Sequence, residues 1–419
     1  MTTTAGHQRR SPAVAGWVGA RVQSLHHALD RPLTSYYLLL GASTLLLTIG
    51  LIMVLSASSV YSYENYGSSY HVFLKQLTWV ALAIPCALVA AVLPRRLLRA
   101  LAWPALIVAT LLVALTQTSL GFEVNGNRNW LALGPLQLQP SELAKLALIL
   151  WSADLFARKE RLLGDWKHTL IPMIPVSGLV TLLVVRQGDL GTALVLFAII
   201  LGMLWVVGAP GRLFAGALLC VGALALWLAS TSAERLQRLT NFVDPFKDYE
   251  NAGWQPAHGL FAMSSGGWFG KGISASQQKW GSLPEAHTDF IFAVLGEELG
   301  LVGTLLVLAL FLTIAYAGIR VAVRTPDPFP RYMAAGITIW LMAQMMINVG
   351  MVLTLLPVIG LPLPLVSYGG SALLPSLVAL GLLVSFARRE PGAQAALRAR
   401  RRRRSAGVTA EGGLGRRGQ

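Results

Sequence analysis

The sequence predicts an all-α polytopic membrane protein: ten transmembrane helices, with a large extracytoplasmic loop between the seventh and eighth. Three observations predict it. Hydrophobic residues make up 54% of the 419 and charged residues only 13%, where a soluble domain carries about a quarter. Apolar windows of about 18 residues or more recur along most of the chain, the length that crosses a bilayer as a helix. Lysine and arginine crowd into alternate loops, as the positive-inside rule requires of a serpentine chain.

The chain opens on a polar, basic tail, residues 1–34. It lacks the apolar core and cleavage site of a signal peptide, so the first apolar segment is expected to stay as an anchor. The ten segments are 35–59, 72–93, 97–117, 141–157, 168–186, 189–208, 212–230, 289–318, 331–355 and 364–387. One set of loops holds Arg9, Arg10, Arg21 and Arg31, then Arg95, Arg96 and Arg99, then Arg158, Lys159, Arg161 and Lys167, then Arg212, then Arg320, Arg324 and Arg331. The tail 388–419, with Arg398 and Arg400 to Arg404, closes that set. Ten spans put both termini in the cytoplasm; an odd number would put the basic tail outside.

Charge and cysteine content exclude other classes. The net charge of +15 does not mark a nucleic-acid binder, because the basic residues sit in particular loops. The Arg-rich tail reads as a segment touching anionic lipid or a protein partner. Cys86 and Cys220 lie in apolar segments, and no His/Cys cluster has zinc spacing. SSGGWFGKG, residues 264–272, fails as a phosphate loop: Ser265 and Gly272 stand where glycine and Ser/Thr are required. No internal repeat supports an inverted-repeat transporter.

The chemistry gathers in the opposite loops, 118–140, 231–288 and 356–371. In GNRNWLALGPLQLQPSELAKLALIL, residues 126–150, Pro140 and Ser141 read as a helix start with Ser141 as cap. Glu142 then complements the helix dipole. Lys145 lies one turn on, on the same face, and opposes it. Its partner is Glu142 or a pyrophosphate. Trp130 is an interfacial or substrate-binding ring, and Arg128 a snorkelling cation or phosphate ligand. In RQGDLGTALVL, residues 186–196, Asp189 caps the next helix beside Arg186 or belongs to an outer site. The long loop is expected to be ordered and functional; its Lys271 is a further substrate-binding candidate. LPEAHTDFIFAVLGEELGLVG, residues 283–303, adds His287. It places Asp289 at the mouth of an apolar helix, as a cap in competition with Thr288 or as a general base whose pKa burial raises. Glu297 and Glu298 fall inside the apolar run and need interior partners. LPVIGLPLPLVSYGGS, residues 356–371, is uncharged and broken by prolines and glycines, which predicts a cavity wall.

In this order, QPSELAK, QGDLGT, SGGWFGKG, LPEAHTDFIFAVLGEELGLVG and LPVIGLPLPLVSYGGS, the chain resembles the SEDS family of shape, elongation, division and sporulation proteins, from about residue 33 to 390. It looks most like the actinobacterial form of the FtsW division branch, with RodA close behind. The resemblance implies a peptidoglycan glycosyltransferase at the plasma membrane and division septum. Lipid II is the implied substrate and undecaprenyl pyrophosphate the leaving group. The implied partners are a class B penicillin-binding protein and other divisome proteins. It makes Asp289 the essential acid and matches Trp130, Glu142 and Lys145 to family positions. Gly188 stands where the family usually has proline. Positive charge for the pyrophosphate is expected from Lys145, Arg128, Arg186 or a divalent cation, magnesium or manganese. A lipid II flippase and a scaffold that only activates the transpeptidase are the alternatives.

Overall fold

The structure is a computed structural model. It describes residues 31–124, 127–134, 136–230, 244–251 and 253–396. The Arg-rich run, Arg9, Arg10 and Arg21 of the first basic cluster, and residues 231–243 of the long loop lie outside the described residues.

The first three apolar segments form α1 (Thr34–Tyr66), α2 (His71–Val92) and α3 (Arg95–Leu115). Pro94 takes extended backbone between the last two, which separates them. Residues 118–140, expected as a loop, hold a three-stranded antiparallel sheet of β1 (Gly121–Val124), β2 (Asn127–Leu133) and β3 (Leu136–Leu138). Its register pairs Phe122 with Trp130 and Leu131 with Leu138. Next come α4 (Pro140–Arg158), α5 (Trp166–Leu170), α6 (Met173–Arg186), α7 (Leu190–Val206) and α8 (Gly211–Ser230). Pro140 is the first residue of α4, so Ser141 lies inside the helix and does not cap it. Its buried hydroxyl has no partner among the described residues. The long loop contains α9 (Trp254–Ser265). Then follow α10 (Ile291–Arg324), α11 (Pro328–Val352) and α12 (Leu373–Ala387).

Among the described residues, seven helical stretches are long and apolar enough to cross a membrane: α1, α2, α3, the α5–α6 pair, α10, α11 and the stretch ending in α12. Helices also fill the other three predicted segments, as α4, α7 and α8. Of these, α7 is apolar but only 17 residues long, and α4 carries Glu142, Lys145, Asp154 and Arg158. The centre of the bundle is α11, packed against α10, α4 and α7. Around it, α12 lies on α2, and α1 on α10. In α11 and the stretch ending in α12, 78% of the apolar window is buried, against 33% or less in the other five.

One break in this regularity shapes the long loop. α10 is interrupted at Gly300, which sits at φ 67, ψ −165. The glycine-rich stretch 264–272 lies across the break and satisfies its backbone. Lys271 N–H donates to the Glu297 carbonyl at 2.9 Å and Gly272 N–H to that of Glu298 at 3.0 Å. In return, Leu301 N–H donates to Gly267 O at 2.9 Å and Val302 N–H to Trp268 O at 3.1 Å. A Cβ at Gly300 would lie 2.3 Å from Gly270 N, so the contact needs glycine. The two acids above the break are paired by the same loop. Glu297 accepts from Lys271 Nζ at 2.8 Å and Ser276 Oγ at 2.6 Å. Glu298 accepts from Ser56 Oγ at 2.5 Å and Lys279 Nζ at 3.2 Å. Glu298 thus has the interior partners expected, Ser56 and Lys279, whereas the lysine of Glu297 is an exposed loop residue; most of these partners come from the loop and not from other spans. Gly300→Ala is expected to lower the thermal unfolding temperature in detergent. The left-handed backbone alone costs on the order of 1 kcal/mol, and the backbone clash adds to it.

Candidate active site

Asp289 lies two residues before α10, which starts at Ile291 and not at 289 as predicted. Phe290 holds the cap position, and no side chain caps this helix. Thr288 donates its hydroxyl to Glu285 Oε2 at 2.6 Å. Neither Asp289 nor Thr288 therefore acts as the cap. Asp289 is half-buried, and no described residue donates a hydrogen bond to its carboxylate. Burial pushes its pKa up to about 7, with the negative charges of Glu285 and Asp189 adding to the effect.

Among the described residues, the other buried acids each face a cation or hydrogen-bond donors. Asp154 accepts from Arg99 and Arg158, both at 2.7 Å. Glu142 pairs with Lys145 at 2.8 Å. Glu297 and Glu298 have the lysines named above, and Glu390 faces Arg320 at 3.8 Å. Asp189 caps α7, accepting from Thr192 N at 2.8 Å, Thr192 Oγ1 at 2.9 Å, Gln139 Nε2 at 2.9 Å and Asn129 Nδ2 at 3.0 Å. These bonds tie the sheet, the entry to α4 and the start of α7 together. They fix Asp189 even though Gly188 before it takes φ 81, a conformation closed to proline.

The Pro-rich stretch after α11 roofs Asp289. Gly360 adopts φ 71, and a Cβ there would stand 3.4 Å from Asp289 Oδ2. Two amides one turn apart on α11 hold this stretch. Gln344 Nε2 donates to Pro362 O at 3.0 Å. Asn348 Nδ2 donates to Leu361 O at 2.7 Å and to the Asp289 carbonyl at 2.9 Å. Gln344 Oε1 in turn accepts from Trp340 Nε1 at 2.9 Å and Lys145 Nζ at 3.0 Å. The Glu142–Lys145 pair, fully buried, therefore reaches the roof through Gln344.

The remaining predicted residues fall into two groups. Near the site, His287 is buried and stacks on Tyr61, with ring centroids 4.9 Å apart. Burial holds its imidazole below the usual histidine range, so it is neutral at pH 7. Trp130 is half-buried in β2. Arg128 and Arg186 are exposed; Arg128 also donates through Nε to Gly121 O at 3.1 Å. Lys271 stands apart, committed to Glu297 at the α10 break. Among the described residues no three His, Cys, Asp or Glu side chains converge as a metal would need. Beside Asp289, Asp189 is saturated and Glu285 is bonded to Thr288, so this donor set does not fit a protein-built metal site.

The model of the FtsW/RodA/SpoVE family of cell cycle proteins matches residues 36–391. The chain belongs to this family. It is 41% identical over 397 residues to a probable peptidoglycan glycosyltransferase FtsW of Mycobacterium tuberculosis, covering 94% of this chain and 76% of that one. It is 36% identical to the Legionella pneumophila protein of the same description, over 85% of this chain and 92% of that one. Among solved structures, a chain of a peptidoglycan synthase complex that coordinates polymerization and crosslinking superimposes with a TM-score of 0.68. That chain is 29% identical and the match covers 84% of this chain and 97% of it. The rod shape determining protein RodA of Thermus thermophilus gives 0.62 at 30% identity, with the same coverage.

Five residues of the site in this FtsW/RodA/SpoVE chain escape a reading of single motifs: Asn129, Gln139, Gln344, Asn348 and Gly360. A signal exists for two of them. MAQMMINVGM, residues 342–351, places two amides four residues apart in an apolar helix, and a buried amide demands partners.

Proposed function

We propose that this FtsW-type protein is a peptidoglycan glycosyltransferase that polymerises lipid II into glycan strands for septal cell-wall synthesis. The observation that carries the chemistry is Asp289, a half-buried carboxylate to which no described residue donates a hydrogen bond, whereas Glu142, Asp154, Asp189, Glu297 and Glu298 each accept at least one. Glycosyl transfer with inversion needs one base and no nucleophile pair. Asp289 takes the proton of the acceptor's N-acetylglucosamine 4-hydroxyl. The acceptor oxygen forms a bond to C1 of the strand's terminal N-acetylmuramic acid. The bond from C1 to the pyrophosphate oxygen breaks, and its electron pair leaves with undecaprenyl pyrophosphate. Arg128 and Arg186, the exposed cations of this end, meet the leaving charge. Lys145 is committed to Glu142 and Gln344 and acts on the roof instead. No step requires a metal; a magnesium or manganese ion would take the pyrophosphate as its main ligand.

In this proposal all ten predicted segments cross the membrane and the basic loops face the cytoplasm. Residues 35–387 form the membrane domain, with 231–288 as the outer loop, and the tails 1–34 and 388–419 are cytoplasmic. The partner is a class B penicillin-binding protein, consistent with the synthase complex to which the fold is similar, within a divisome assembly. The flippase alternative needs unpaired charge at mid-depth, and Glu297, Glu298 and Asp154 are all paired. The test uses purified protein with its cognate transpeptidase and lipid II. Glycan polymer is expected, with no movement of lipid II between vesicle leaflets. Leaflet exchange without polymer would replace the polymerase by a flippase.

A further inference from the structure

Asn348 is fully buried, about one turn before the end of α11 at Val352. Its amide nitrogen donates both protons, one to the carbonyl of Asp289 and one to that of Leu361. Both partners are acceptors, which fixes the orientation of the amide, since a flipped group would set oxygen against two carbonyls. One rigid side chain thus joins two segments otherwise separate in sequence: the residue that carries the carboxylate and the stretch whose Gly360 covers it. Neighbouring bonds reinforce the same junction, from Gln344 to Pro362 O and from Tyr368 N to His287 O.

We propose that Asn348 is a positioning residue for glycosyl transfer, holding the Asp289 carboxylate and its Gly360 roof at a fixed separation. This rests on Asp289 being the base. The physical content is twofold. A base must stand within hydrogen-bond reach of the proton that it takes, and a displacement of about 1 Å lowers turnover about 100-fold. The roof also limits the water that reaches the half-buried carboxylate. The groups that act on Asp289 are Glu285 on its own segment and Asp189 at the start of α7, and neither is bonded to Asn348. Removing the amide therefore leaves their charges in place and changes the solvation of Asp289.

The test compares wild type, Asn348→Ala, the milder Asn348→Ser and Asp289→Asn, each purified with the cognate transpeptidase and assayed on lipid II from pH 5.5 to 8.5. Melting in detergent measures the folded fraction. Per folded molecule, Asn348→Ala is expected to lose turnover about 100-fold with KM for lipid II little changed. The pH midpoint of what remains should move down by about one unit as water reaches the carboxylate. Asn348→Ser, which keeps one donor, should fall between. Wild-type turnover and midpoint in folded variants would overturn the proposal. So would a loss confined to folded yield with an unmoved midpoint, or failure of both variants to fold, since each makes Asn348 a residue of stability alone. Polymer from Asp289→Asn would instead overturn the assignment of the base, a distinct result.

Discussion

Asp289→Asn is expected to lower glycan polymerisation by a factor of about 10² to 10⁴, the range that a positioned general base supplies. Asparagine has the same shape and cannot take the proton. The substitution should leave the fold intact, because the Asp289 carboxylate has no described hydrogen-bond partner and its structural link, the bond from Asn348, is to the backbone carbonyl. It also removes a half-buried acid that stands near Glu285 and Asp189, so unfolding should occur at the same temperature or slightly higher. Glu298→Gln is the contrast. It removes the negative charge that Lys279 and Ser56 meet at Oε1, so its cost should appear as stability. Electrophoresis of the polymer and melting of both variants separate the two kinds of loss.

Lys145→Met is expected to destabilise the protein by about 3–5 kcal/mol, the typical cost of leaving one partner of a buried ion pair alone. Neither side chain of the Glu142–Lys145 pair has meaningful exposure, so water cannot compensate Glu142. One oxygen of Glu142 already lacks a described partner. The ammonium also fixes Gln344, whose amide holds Pro362 O, so the roof over Asp289 should loosen as well. Pairing the change with Glu142→Gln removes the stranded charge, and the double variant should recover part of the stability. Thermal unfolding of the two single variants and the double variant forms the cycle that measures this.

Much of this architecture is legible in the sequence because membrane helices obey simple rules of length and apolarity. Helices lie within all ten predicted segments, though seven described stretches are long and apolar enough to cross a membrane and the last segment turns helical only from Gly370; the position of Asp289 before a long apolar helix is visible from the motif. Less visible is whatever depends on tertiary partners. The spacing of Glu142 and Lys145 gives their pairing, but not their burial beside Gln344. The short sheet at Gly121–Leu138 was hidden because its three strands are brief and polar at intervals, with little alternation to separate them from loop. The adjacent acids Glu297 and Glu298 demand partners on physical grounds, yet the lysines that answer them come from a glycine-rich loop that packs back onto its own helix. That return is possible only through the break at Gly300, and an isolated glycine in an apolar run does not announce one. Lys271, proposed for substrate, belongs to this device.

The most direct test of Asp289 as the base is the pH dependence of polymerisation by the wild-type protein at saturating lipid II. The active form is the carboxylate, and burial raises its pKa to about 7. The rate should therefore be half-maximal near that pH, level above it, and fall about tenfold per unit below it. The decline should be absent from the residual rate of Asp289→Asn. A wild-type rate that stays flat from pH 8 down to about pH 5, through a range where a burial-raised carboxylate must take up its proton, would contradict the assignment.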